Sequence, residues 1–231
     1  MDFYHVLNRG VDKRSIFMDQ RDHARFVHDL YVFNHNGRVN NVHYSFKNND
    51  IVSHYLKETL KKTDGTPQVQ KKKIVNIHGW CLMKNHYHLL LSERVEGGIT
   101  KFIRKLNIGY AKYFNERHKR TGTLFQGRTK KILIETDRHF MYILHYIHLN
   151  PLDFVRDAEN WRDGQISSAR RAKEFLKKYR WSSYPDYIGE RNFPSVITTK
   201  FFDNAYGGYK KSFDKYLGNL DTASIQELTL E

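Results

Sequence analysis

Residues 74–94 constrain the fold most, because two runs of strand-forming residues, Ile74 to Met83 and His86 to Arg94, are joined only by Lys84-Asn85. A connection that short makes an antiparallel hairpin. The second run opens Asn85-His86-Tyr87-His88-Leu89-Leu90-Leu91. Side chains of a strand alternate between faces, so His86 and His88 share one face and Tyr87 takes the other. Two imidazoles converging from one strand make half a metal site.

Around this hairpin the chain reads β-α-β-β-α-β-α. Phe3 to Asn8 is a first strand, closed by Arg9-Gly10 and the polar turn Val11 to Arg14. Asp19 or Asp22 caps a helix carrying Phe26, Val27, Leu30, Tyr31 and Phe33. Residues 37–72 are Asn- and Lys-rich, with a short helical stretch around Ile51 to Leu60, and read as an insertion. After the hairpin, Ile99, Phe102, Ile103, Leu106, Tyr110, Tyr113 and Phe114 recur at the helical period, with Lys101, Arg104, Lys105 and Lys112 on the opposite side. Lys131 to Glu135 alternates as a short strand. Asp137 then caps a helix whose apolar side is Phe140, Ile143, Leu144 and Ile147, and Pro151 sets Asn150 at its end.

The expected class is α+β: a ferredoxin-like split βαβ core with an antiparallel sheet, then a helix carrying a tyrosine. A mostly helical C-terminal extension follows. It contains a basic helix from Ser168 to Tyr179, the segment Trp181-Ser182-Ser183-Tyr184 and a helical tail from Thr199 to Leu217. We divide the chain into a core domain at 1–158, with the insertion at 37–72, and an extension at 159–231.

Composition narrows the partner. The 231 residues hold 39 Lys plus Arg against 25 Asp plus Glu, a net charge of +14, with 14% aromatics. A cationic surface with many Tyr and Phe suits single-stranded or locally opened nucleic acid, whose phosphates attract and whose bases stack. The single cysteine, Cys81, lies in an apolar strand and reads as a packed thiol in a reducing compartment. There is no secretory leader pattern and no long apolar run, which points to a cytoplasmic chain without membrane insertion.

The second half of the site comes from Tyr146-Ile147-His148-Leu149-Asn150-Pro151, where Tyr146 and Asn150 lie one helical turn apart on one face. Two neutral imidazoles and an amide oxygen form a weakly charged set with room for phosphate oxygens, which suits magnesium or manganese better than a closed zinc centre. A phenol with a pKa near 10 attacks a phosphate only if its proton is lost, and a bound Lewis acid eases that step. Spacing prefers Tyr146 to Tyr142 only modestly. His145 and His148 stay open between supporting donors, phosphate contacts and surface residues.

These segments resemble the single-tyrosine HUH transposases, the family that includes insertion-sequence transposases and REP-associated tyrosine transposases. The likeness is carried by Tyr4-His5-Val6 with Asn8-Arg9-Gly10, Cys81-Leu82-Met83-Lys84-Asn85-His86-Tyr87-His88-Leu89-Leu90, Leu124-Phe125-Gln126-Gly127-Arg128, Tyr146 to Pro151 and Trp181-Ser182-Ser183-Tyr184. The resemblance implies that His86 and His88 are the HUH metal ligands, Asn150 the third ligand and Tyr146 the nucleophile. It further implies single-stranded DNA cleavage and strand transfer through a 5′-phosphotyrosine intermediate, with a homodimer allowed. Arg9, Lys101, Arg104, Lys105 and Arg128 are candidate phosphate contacts. Lys84 stands where the family commonly has proline, and 37–72 and about 160–178 look like insertions. The rivals are a non-catalytic, domesticated hairpin-DNA-binding protein, a metallohydrolase using water and a basic structural module.

Overall fold

The structure, a computed structural model, describes residues 1–37 and 72–218 apart from 157, 159 and 165. Most of the insertion at 37–72, including the helical stretch at 51–60, lies outside the described residues. Strand β1 (Phe3–Arg9), helix α1 (Gln20–Val32), β2 (Val75–Leu82), β3 (His86–Glu93), α2 (Gly98–Arg117), β4 (Lys130–Leu133) and α3 (Asp137–Leu149) follow the expected order. The sheet runs β2-β3-β1-β4 and every pairing is antiparallel. That is the split βαβ arrangement, so the α+β expectation holds.

Local chemistry sets the element ends. The Asp19 carboxylate accepts from the backbone N–H groups of Arg21 and Asp22 and starts α1. At α3 the cap is Thr136, whose hydroxyl accepts from His139 N at 3.1 Å, and Asp137 is the first helical residue. The expected cap is thus corrected by one position: Thr136 has the extended backbone that a cap requires.

The sheet is covered on both faces. On one side Tyr87 meets Phe26 of α1, which in turn meets Tyr110 of α2, both at 5.0 Å between ring centres. On the other side α3 comes down over Gly79, where an added Cβ would stand 2.5 Å from Leu144 Cδ1. Glycine there lets the helix approach the strand closely.

Beyond the turn Asn150–Phe154 lie α4 (Ala169–Lys178), α5 (Tyr184–Tyr187), α6 (Lys200–Ala205) and α7 (Tyr209–Gly218). The expected tail helix is two helices, broken at Gly207 and Gly208, whose φ angles of 62° and 98° no helix accommodates. The extension is fastened to β2. Leu82 N–H donates to Trp181 O, Ser183 N–H to Trp80 O and Thr198 N–H to Ile77 O. His148 joins this seam, with Nε2 and Ser183 Oγ 2.7 Å apart and Nδ1 2.7 Å from the Tyr209 hydroxyl. His145 is enclosed by the rings of Tyr206, Tyr209, Phe213 and Tyr216. Both histidines, open in the sequence, pack the extension onto α3. Among the described residues no helix is long and apolar enough to cross a membrane.

Burial pushes the His145 imidazole down to about 3 and that of His78 to about 4. In the unfolded chain both return to near 6.5, so as pH falls the unfolded state takes up protons first. Their stability contribution is complete above about pH 6.5 and declines below it. Urea unfolding at pH 7 and pH 5 is expected to show a loss of roughly 1–2 kcal/mol for each histidine, and His145→Phe to reduce that loss. An unchanged midpoint between the two pH values would contradict this.

Candidate functional site

Three separated segments meet at one corner of the sheet. Gly10 N–H donates to Asn85 O at 2.8 Å, Val11 N–H to Leu124 O at 2.9 Å and Gln126 N–H to Arg9 O at 2.8 Å. A side chain at Gly10 would collide with the backbone oxygen of Arg14 and with Ile16, so the corner closes only around glycine. The Asn-Arg-Gly, Asn-His and Gln-Gly-Arg motifs therefore build one structure, at the end of β1 and the start of β3.

Strand register selects what faces α3. Leu7 stands opposite His88 and Arg9 opposite His86, so His5, Arg9, His86 and His88 share one face. Within it His86 and His88 lie 4.9 Å apart between ring centres, nearly perpendicular. His86 Nδ1 is 2.6 Å from the Asn85 amide oxygen, while the Asn85 amide nitrogen donates to Lys13 O. An amide oxygen only accepts, so in this contact His86 Nδ1 is the donor. His5 Nε2 and His88 Nδ1 form a buried hydrogen bond of 2.9 Å. His5 lies on the same face; in the sequence it stood within the Tyr4-His5-Val6 motif but carried no assigned role.

Helix α3 brings the tyrosine to this face. Tyr146 is 2% exposed, and its ring centre lies 5.8 Å from His88 and 6.0 Å from His5, edge-on to both. Leu144 sits over Gly79, which pairs with Leu90, while Tyr146 sits over His88, so α3 runs opposite to β3. Asn150 follows one helical turn after Tyr146, toward the end of the sheet where β3 starts. Tyr142 points elsewhere, its ring 5.3 Å from that of Tyr216.

Asn150 is fully buried. Its Nδ2 donates to Tyr146 O at 2.9 Å, and its Oδ1 accepts from Arg162 Nη2 at 2.7 Å. Arg162 also donates to Asp153 Oδ1 at 2.5 Å, and its guanidinium lies 4.4 Å from the Trp161 ring centre and 5.9 Å from that of Tyr146. Sequence reading missed Arg162, which falls in the stretch taken as an insertion. Nothing in its spacing tied it to Asn150.

The donor chemistry suits a divalent cation of borderline softness: two imidazole nitrogens and an amide oxygen, leaving positions for phosphate oxygens or water. Among the described residues no three His, Cys, Asp or Glu side chains are grouped to hold a metal ion. Burial raises the Cys81 thiol well above its ordinary range, which makes it a poor nucleophile.

The candidate phosphate contacts separate by position. Arg9 is half-buried on the histidine face, and Arg128 is exposed beside Gly127, whose φ is 61°. Arg104 is exposed on α2. Lys101 donates to Asn36 Oδ1 at 2.8 Å, and Lys105 to the carbonyl oxygens of His35 and Gly37 at 2.6 and 2.9 Å. Those two lysines hold the chain after α1.

The family model described as "Transposase IS200 like" matches residues 33–150, just over half of the chain. The chain belongs to the IS200-like transposase family, as the sequence resemblance implied. Membership places it among enzymes of DNA transposition, with DNA as partner. A solved structure described as "Structure of the REP associates tyrosine transposase bound to a REP hairpin" is similar at 12% identity with a TM-score of 0.42, over 85% of this chain and 84% of that one. A comparison with curated proteins finds no match.

The lysine bonds give a test. Lys105→Met is expected to cost about 1 kcal/mol of stability and leave the salt dependence of oligonucleotide binding unchanged. Arg128→Met is expected to leave stability unchanged and lower the slope of log K against log salt by about one. Salt titrations of fluorescence anisotropy with both variants check this, and the reverse pattern would contradict it.

Proposed function

We propose that the protein is a metal-dependent single-stranded DNA endonuclease and strand transferase. It acts through Tyr146 in DNA transposition or in the processing of repeated palindromic elements. The observation that supports this best is the packing of Tyr146 against His88 and His5, on the sheet face that also bears His86. His86, His88 and Asn150 would hold magnesium or manganese, and such a cation supplies Lewis-acid polarisation of the scissile phosphate.

Tyr146 Oη attacks the phosphorus in line. The Oη–P bond forms to the 5′ phosphate, the P–O3′ bond breaks, the phenolic proton passes to solvent and the departing 3′ oxygen takes up a proton. The phosphotyrosine remains a phosphodiester, so a free 3′-hydroxyl can reverse the step and join strands. That reversibility separates strand transfer from hydrolysis. His5 keeps the His88 Nδ1 proton engaged, so that Nε2 of His88, like that of His86, presents its lone pair. Arg9 and Arg128, at the corner where β1 and the 124–128 loop meet, bind backbone phosphates. Residues 1–158 supply the chemistry, and the extension from 159 onward closes over it.

The test incubates the chain with labelled single-stranded DNA from the flanks of its own gene and manganese, then resolves the products on a denaturing gel. Wild type is expected to form a DNA–protein adduct, and Tyr146→Phe and His86→Ala to lose it. Cleavage that persists in Tyr146→Phe would transfer the attack to water. Tight binding without cleavage across the flanks would leave a binding protein in place of an enzyme.

The role of His5 has its own measurement. His5→Phe is expected to weaken manganese binding about ten-fold, as loss of a ligand's supporting hydrogen bond does, read from the paramagnetic resonance of free manganese. Unchanged affinity would remove His5 from the site.

A further inference from the structure

Two features of the site do not suit an enzyme ready to act. The oxygen offered by Asn150 accepts a hydrogen bond from a cation, the Arg162 guanidinium, at 2.7 Å. The Tyr146 ring is 2% exposed and is bordered by Trp161, 5.8 Å away between ring centres, and by that same guanidinium. Both features come from one short turn, Trp161–Asp163. That turn is itself anchored on Asp153, which accepts from Trp161 Nε1 at 2.8 Å and from Arg162 Nη1 at 2.5 Å.

We propose that the Trp161-Arg162 turn is a latch over the site, in which Arg162 occupies the third-ligand oxygen and covers the nucleophile until a divalent cation and DNA phosphate together displace it. This rests on the reading of His86, His88 and Asn150 as ligands. A guanidinium and a divalent cation on one amide oxygen repel each other strongly in a buried setting. A phosphate relieves that conflict, because a guanidinium forks onto phosphate oxygens at least as well as onto an amide. Arg162 keeps its Asp153 bond as a pivot, so surrendering Asn150 does not strand a buried charge. Metal binding and DNA binding are thereby coupled: each makes the other more favourable, by the same factor. Without its DNA partner the tyrosine stays covered and the ligand set incomplete.

The test measures manganese affinity of the full chain by paramagnetic resonance, with and without an oligothymidylate, in wild type, Arg162→Met and His86→Ala. Methionine keeps an apolar stem beside Trp161 and Tyr146 while removing charge and donors. Arg162→Met is expected to bind manganese about ten-fold tighter than wild type without DNA, and the oligothymidylate to strengthen wild type about ten-fold more than the variant. Arg162→Lys, which keeps a charge but not the fork, is expected between the two and serves if the methionine variant fails to fold. Equal or weaker manganese binding in Arg162→Met, or in the folded lysine variant, overturns the latch. A different failure is separable: if His86→Ala binds manganese as wild type does, the ligand reading itself falls and the latch with it.

Discussion

The antiparallel pairing of β1 with β3 is the constraint on which the site depends. With Leu7 opposite His88 and Arg9 opposite His86, the face under α3 receives His5, Arg9, His86 and His88 together. A slip of one residue would turn β1 over and exchange His5 and Arg9 for Tyr4, Val6 and Asn8. The register is fixed at both ends. Gly10 and Asn85 join the strands through a backbone hydrogen bond at the corner, and Phe3 pairs with Ser92 at the other end. Tyr87 and Leu89, on the reverse face, are fully buried, so a slipped sheet would also strand its core residues.

The second requirement is that α3 lie close to the sheet and not rotate. Gly79 allows the approach, and the seam of His148, Ser183 and Tyr209 sets the rotation from the far side. This gives the C-terminal extension its place in the account. By clamping α3 between β2 and α7, it directs Tyr146 toward His88 and keeps Tyr142 against Tyr216. The tyrosine packs on the histidine strand of its own chain.

Much of this was legible in the sequence because periodicity reports which face a residue takes. The alternation at 86–91 and the helical period at 140–150 are enough to put His86 with His88 and Tyr146 with Asn150. Element ends were less legible. The exact cap of α3 depends on which of two adjacent residues, Thr136 or Asp137, takes the extended backbone, and the break at Gly207-Gly208 on positive φ angles. His5 was legible only as part of the Tyr4-His5-Val6 motif, with no role attached, and Arg162 was not legible at all. Their roles arise from strand register and from a turn folding back over α3, both of which are contacts between segments remote in sequence. The lysines of α2 show the converse: Lys101 and Lys105 read as a basic face, yet both are bonded to the chain at 35–37.

In the proposed function Tyr146, packed against His88 and His5, forms the covalent link to DNA. The most direct measurement is peptide mapping by tandem mass spectrometry, after the protein has reacted with a single-stranded oligonucleotide and the attached DNA has been trimmed to a nucleotide. The modification is expected on Tyr146, within the peptide that also carries His148 and Asn150. A nucleotide found on Tyr142 or any other side chain, or cleavage of the DNA with no modified peptide, would contradict it.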